Sequence, residues 1–333
     1  MSEAERIFEL DPRAFTPHAL HGHDRDFRES NCYIDLWIGM LHGFGLDPHA
    51  CLAVTLASDF EGDQWTFFKP SHADLSRLYG VRVEELTLWR PLVEQVRAQL
   101  DRKRMPLVEM DSFFLPDTSA SDYKRNHVKT TIGISFMDEA SRTLRYFHNA
   151  GFYELSGDDF DGLFRIGAQN APDYLPPYCE IAKADRAVAR DPAELRALSR
   201  ELARTYFELR PAQNPVRAHA EQLSEHLQWI VAGGLPVYHG YSFAAMRQLG
   251  ANYEFAARYL RWLSNDGLIA EAATAFAQLS AQAKMLILKL ARVANTRKPS
   301  DLSPAFAEMA RAWDDGMARL ADGLTREGVI RVP

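Results

Sequence analysis

Three side chains in the first half of the chain could together make and break an acyl bond: Cys32, His127 and Asn149. Cys32 follows Ser30 and Asn31, both helix-capping residue types, and precedes Ile34, Trp37, Ile38 and Leu41 at helical spacing. It therefore falls in the first turn of a predicted helix that Gly43 or Gly45 can end. A thiol placed there meets the partial positive charge of unpaired backbone N–H groups, the environment in which nucleophilic cysteines are made. His127 opens an extended run and Asn149 lies on the next one. An imidazole in that place could hold a thiolate as an ion pair and later protonate the leaving group. A carboxamide could orient the ring, because orientation rather than proton acceptance is what the third member must supply.

Each residue also has an ordinary use. A lone cysteine is commonly a buried structural thiol, a histidine among Lys124, Arg125 and Lys129 suits a basic surface loop, and an asparagine just before Gly151 suits a turn. What sets the three apart is their order: cysteine at a helix start, histidine at a strand start, carboxamide on the next strand. That is the chain order of papain-type enzymes.

The elements that must position these residues divide the chain into two halves. Up to about residue 165 the pattern is mixed, with a helix from Pro91 through Val93, Val96 and Leu100 and extended runs at 106–115, 128–136 and 143–155. The MDEAS stretch between the last two reads as a hairpin connection. Beyond Pro172, Pro176 and Pro177, apolar residues recur at three-to-four spacing in segments near 192–209, 215–232, 242–263, 267–294 and 303–323. The expectation is an α+β domain over 1–175 and an all-helical domain over 185–333, with no repeat or low-complexity tract.

Composition narrows the function classes. The 333 residues, 47% hydrophobic and 25% charged, suffice for two packed cores. Cys32, Cys51 and Cys179 lack a CxxC or finger spacing, so neither a disulfide framework nor structural zinc is expected, and the thiols read as reduced and cytoplasmic. A net charge of -7 argues against nucleic acid as the main partner. No apolar run reaches the length of a membrane span, and MSEAERIFEL is no signal peptide.

Other polar groups stand in apolar contexts. Asp111 ends the strand-like VEMDSFFLPD, where a carboxylate lines a site, binds an acceptor amine or bonds a neighbouring loop. Asp59, Glu61 and Asp63 in DFEGDQW lack the ligand pattern of a calcium loop and read as a solvated turn. Tyr241, Arg247, Gln248, Asn252 and Glu254 interrupt a helical apolar pattern, either as bonded packing residues or as a segment that closes over Cys32 and selects the acyl group. Lys289, Arg292, Arg297 and Lys298 form a solvated helix end or a dock for an acidic carrier.

Long strings carry a resemblance. ESNCYIDLWIGMLHGFGLDP, DFEGDQWTFFKP, PLVEMDSFFLPDT, HVKTTIGISFMD, YFHNAGFYELSGDDFDGLF and YSFAAMRQLGANYEFAARYLRWL together resemble the bacterial family known as domain of unknown function 1839. The same order of features is more distantly similar to the family of butirosin biosynthesis protein H. That resemblance implies a papain-like N-terminal domain and an acyl- or aminoacyltransferase that moves an acyl group from a carrier protein's phosphopantetheine thioester, through Cys32, to a small amine. It implies Cys32 as nucleophile, His127 as base and Asn149, where that family has Asp, as orienting group, with His148 adjacent. Position 26, where papain-type enzymes place a Gln, is Asp26, so Gln64, Asn31 or the Cys32 N–H would serve the oxyanion. Substrate contacts are expected from Asn31, Gln64, Asp111, Tyr241, Arg247, Gln248 and Asn252, with no metal and no cofactor bound by the protein itself. The competing expectations are a cysteine peptidase or amidase and a non-enzymatic carrier-binding module.

Overall fold

The computed structural model describes residues 7–167, 175–264 and 267–326. The chain forms two compact units, the first of Met1–Gly22, Cys32–Pro48 and Ser71–Arg190, the second of His23–Asn31, His49–Pro70 and Asp191–Pro333.

The first unit is built on a six-stranded antiparallel sheet. In chain order its elements are α1 (Cys32–Gly43), α2 (His72–Tyr79), β1 (Arg82–Glu85), α3 (Leu92–Leu100), β2 (Arg104–Asp111), β3 (Lys129–Asp138), β4 (Thr143–His148), β5 (Gly151–Ser156), α4 (Asp158–Leu163) and β6 (Cys179–Lys183). The strand order is β1-β6-β2-β3-β4-β5, and every neighbouring pair is antiparallel. β1 and β6 escape a reading by periodicity because they have four and five residues and carry Glu84, Glu85 and Glu180. β2 stops at Asp111, short of the expected residue 115, because the Asp111 carboxylate accepts the Phe113 N–H and turns the chain into a 3-10 helix. The extended run over 143–155 is two strands with a two-residue loop at Asn149 and Ala150, where Asn149 holds φ 47°. Asparagine tolerates that left-handed backbone better than most residues. Of the boundary prolines, Pro172 lies outside the described residues, and Pro176 and Pro177 run into β6.

α1 packs on one face of the sheet at a glycine. A Cβ on Gly133 would come within 2.9 Å of Met40 Sδ and 3.2 Å of Leu36 Cδ1, and Gly39 and Gly43 of α1 approach the Phe147 ring in the same way. Glu180, Leu107, Gly133 and Phe147 form one row across four strands. α1 follows that row, since its Tyr33 hydroxyl donates to Glu180 Oε2 at the other end. Gly45, at φ 74°, then ends the turn, with Leu46 N–H bonding back to Leu41 O. The opposite face carries Val108, Met110, Ile132, Ile134, Leu144, Tyr146 and Leu155 against Leu92, Val93 and Val96 of α3 and Phe160 and Leu163 of α4.

The second unit is mostly helical: α5 (Pro192–Glu208), α6 (Pro215–Gly233), α7 (Leu235–Tyr241), a π-helix over Ser242–Arg247, α8 (Gln248–Leu263), α9 (Gly267–Thr296) and α10 (Ser303–Arg326). Asp191 and Asn214 cap α5 and α6, each followed by a first-turn proline. Glu254 of α8 accepts the backbone N–H groups of Asp26 and Phe27 and pairs with Arg25, which lies over the Phe255 ring. Among the described residues, no helix is long and apolar enough to cross a membrane.

His219 of α6 is fully buried in this unit. Its Nδ1 accepts the Trp65 Nε1–H at 3.0 Å, so the neutral ring carries its proton on Nε2 and donates to the Tyr241 oxygen at 2.6 Å. Tyr241 in turn faces His226 Nδ1 at 3.3 Å, and Phe60 stacks on His219 at 4.5 Å. Burial, with the nearby His226, lowers the His219 pKa to about 3.

This packing sets two expected outcomes. The unfolded chain protonates near pH 6.5 and the folded one only near 3, so the stability from His219 is complete above pH 6.5 and drains as pH falls from there. Thermal melts should show a loss of about 1 kcal/mol between pH 7 and 5.5, and His219→Gln should flatten that slope. Gly133→Ala should cost about 1–3 kcal/mol by overpacking, read as a lower midpoint in urea, because Met40 and Leu36 of α1 occupy the place of the new methyl.

Candidate active site

The sheet ends in a cavity. About 370 Å³ of space is lined by Leu92, Met110, Leu163 and Phe164 on its apolar side, by Pro176, Pro177 and Tyr178, and by Glu109, Asp111, His127, Lys129 and Arg165. The polar side follows from the β2–β3 register. Asp111 stands opposite Lys129 and Glu109 opposite Thr131, so residues of alternate number point the same way and two diagonal ion pairs form. Lys129 Nζ reaches Glu109 Oε1 at 2.6 Å, and His127 Nδ1 lies 2.6 Å from Asp111 Oδ2. Asp111 keeps its other oxygen on the Phe113 N–H at 3.0 Å. The His127 ring is stacked on Phe113 at 4.4 Å and 9°, and its side chain is 68% exposed. A carboxylate only accepts, so the neutral ring carries its proton on Nδ1 and presents an unprotonated Nε2. Two of the residues singled out in the sequence, His127 and Asp111, are thus brought together.

The other expected members lie elsewhere. Among the described residues no hydrogen bond joins Cys32, His127 and Asn149 to one another. Cys32 is the first residue of α1 and half-buried. The row beneath α1 passes through Gly133, and Lys129 lies four residues, about 13 Å, along β3 from it, with His127 beyond. Asn149 is the half-buried hairpin residue at positive φ. In the second unit Asn31 donates to Phe68 O, Arg247 to Arg28 O, Gln248 to Ser30 O and Asn252 to Thr55 O, each a bond to backbone. Tyr241 is buried on His219, Gln64 is exposed, and the Asp59–Thr66 stretch closes through a bridge between Phe60 and Trp65.

The sequence reading passed over two buried networks of the first unit. Glu180, 1% exposed, accepts the hydroxyls of Tyr33 at 2.7 Å and Tyr178 at 2.8 Å and pairs with His72 at 3.2 Å. Both tyrosines are held well above the ordinary phenol value, by burial first and Glu180 next among the charges. His148 and Asp117 form a second buried pair that also engages Thr130 and Tyr146. Its signal was present, because His148 is in phase with Leu144 and Tyr146 and therefore shares their buried face.

Thiol reactivity checks the placement of Cys32. Cys51 and Cys179 are 2% and 3% exposed, and burial, aided by the Glu180 charge, pushes the Cys179 thiol up to about 12. Iodoacetamide near neutral pH should modify Cys32 first and Cys179 last. Equal rates would remove Cys32 from any reactive role.

No curated protein matches the chain. The model of the DUF1839 N-terminal domain matches residues 16–184, and that of the DUF1839 C-terminal domain matches residues 192–322. The chain therefore belongs to the DUF1839 family, with both of the family's domains in their order.

Proposed function

We propose that the first unit transfers an acyl group from a thioester, ester or amide to a nucleophile, with His127 as general base and Asp111 as the group that orients it. The observation that carries this is the 2.6 Å bond between His127 Nδ1 and Asp111 Oδ2 at a cavity of about 370 Å³. The bond fixes the tautomer, and an Nε2 within reach of the cavity can take the proton of an amine or a water as it attacks an acyl carbon. Asp111 meets the rest of its requirement from the Phe113 N–H, so it holds the ring without itself needing to move. Lys129 and Arg165 supply cationic groups at the same cavity for a developing oxyanion or a phosphate-bearing donor. A phosphopantetheine thioester on a carrier protein and a small amine are the donor and acceptor that the likeness to the butirosin biosynthesis protein H family suggests. A papain-like identity for the unit draws support from α1, which begins at Cys32 and packs on an antiparallel sheet.

A second reading keeps Cys32 as the residue that carries the acyl group. The half-exposed thiol at the first position of α1 favours it over Cys51 and Cys179. Water as acceptor would make the protein a hydrolase, and the open position of His127 suits that outcome as well as the amine.

Single-turnover assays with an acyl-pantetheine thioester, with and without amine, separate these readings. His127→Ala should slow the reaction by about 10²–10⁴-fold, and Asp111→Asn by a smaller factor, each with an unchanged melt. Cys32→Ala abolishes transfer only if the thiol is the acyl carrier. A wild-type protein that binds acyl carrier without turnover, or a His127→Ala protein that reacts at the wild-type rate, would end the proposal.

A further inference from the structure

Behind the polar wall of the cavity lies an ordered relay of three side chains. His148 Nδ1 is 2.5 Å from Asp117 Oδ2, and His148 Nε2 is 2.8 Å from Thr130 Oγ1. The Tyr146 hydroxyl donates to the other Asp117 oxygen at 2.5 Å. The His148 and Asp117 side chains are 1% and 3% exposed, and Thr130 is 7% exposed. We propose that Thr130 is a nucleophile activated by His148 and Asp117, and that it carries the acyl group taken from a donor in the adjacent cavity. This rests on the acyl-transfer reading of that cavity and deepens it by naming a covalent residue other than Cys32.

Hydrogen bonding fixes the direction of the relay. The Asp117 carboxylate only accepts, so the neutral imidazole carries its proton on Nδ1, and Nε2 is left to accept the Thr130 hydroxyl. Burial, with the Asp117 charge next, raises the Tyr146 phenol far above its ordinary value, so Tyr146 remains a donor and does not compete for the proton. Position supplies access. Met110, directly across the ladder from Thr130, lines the cavity, as do Val128 and Lys129 immediately before it. Cross-strand partners share a face of the sheet, so Thr130 stands beside Met110, directly next to the residues that line the cavity.

The step balances. Thr130 Oγ1 bonds to the acyl carbon while its proton passes to His148 Nε2. The bond to the leaving thiol breaks, and the thiol departs as its thiolate while His148 keeps the proton. Water or an amine then attacks the acyl-threonine and gives its proton to His127, the bond to Thr130 Oγ1 breaks as that oxygen takes the proton back from His148, and the thiolate takes the proton from His127. His127 serves the acceptor in this scheme and His148 serves the nucleophile.

The test uses the full chain and a fluorophosphonate probe, in which phosphorus stands for the acyl carbon and fluoride leaves. Peptide mass mapping should place the adduct on Thr130 in the wild type and on the replacement hydroxyl in Thr130→Ser, with none in Thr130→Val. Asp117→Asn should slow labelling at least 100-fold. Thr130→Val keeps the shape of the side chain, so a melt close to that of wild type separates a lost nucleophile from a lost fold. An unlabelled Thr130 in the wild type, or equal labelling of Thr130→Val, overturns the proposal. If acyl transfer nonetheless depends on His127, the reading of the cavity stands without Thr130.

Discussion

The antiparallel pairing of β2 with β3 is the constraint on which the first unit depends. Its register places Asp111 opposite Lys129, Glu109 opposite Thr131, Met110 opposite Thr130 and Leu107 opposite Gly133. From Leu107 and Gly133 comes the row that α1 follows, and from Val108, Met110 and Ile132 the apolar surface for α3 and α4. The charged residues at the other end of the same ladder form the polar wall of a cavity. A slip of one residue would exchange the two faces, put Glu109 and Asp111 into the apolar core and remove the glycine from beneath Met40.

Among the described residues, three histidine–carboxylate pairs have one member on a strand of this sheet, and they differ in burial. His127–Asp111 is open to solvent on the imidazole side and fixed on the carboxylate side by a backbone N–H. His148–Asp117 is buried, with its remaining polar atoms bonded to Thr130 and Tyr146. His72–Glu180 has its exposure on the histidine and a carboxylate closed in by two tyrosines. In each, burial of the carboxylate is tolerable because both oxygens are hydrogen-bonded or ion-paired.

The second unit solves the same problem without a carboxylate. His219 is sealed between Trp65, Tyr241, Phe60 and Phe306, and with only neutral partners it is held in its uncharged form. The indole N–H can only donate, and that one fact dictates the tautomer of His219 and the direction of the bond to Tyr241.

What the amino-acid sequence determined by itself was local. Helical periodicity with Ser30 and Asn31 before it placed Cys32 at the start of α1; three-to-four apolar spacing near 192–209 and 215–232 marked α5 and α6; and the extended run over 143–155, broken near Gly151, marked β4 and β5. These signals exist because capping, turn formation and amphipathic spacing act over a few residues. The short, polar strands β1 and β6 carried no such signal. The partners of the reactive side chains were decided only by tertiary structure: His127 meets Asp111 from 16 residues away, His148 meets Asp117 from 31, Tyr33 meets Glu180 from 147, and Trp65 meets His219 from 154. Chain order alone paired His127 with Cys32 and Asn149, whereas strand register pairs it with Asp111. A residue's type states what chemistry it can perform, but which polar groups stand within 3 Å of it depends on sheet register and helix placement, and those are fixed by the burial of apolar residues distributed over the whole unit.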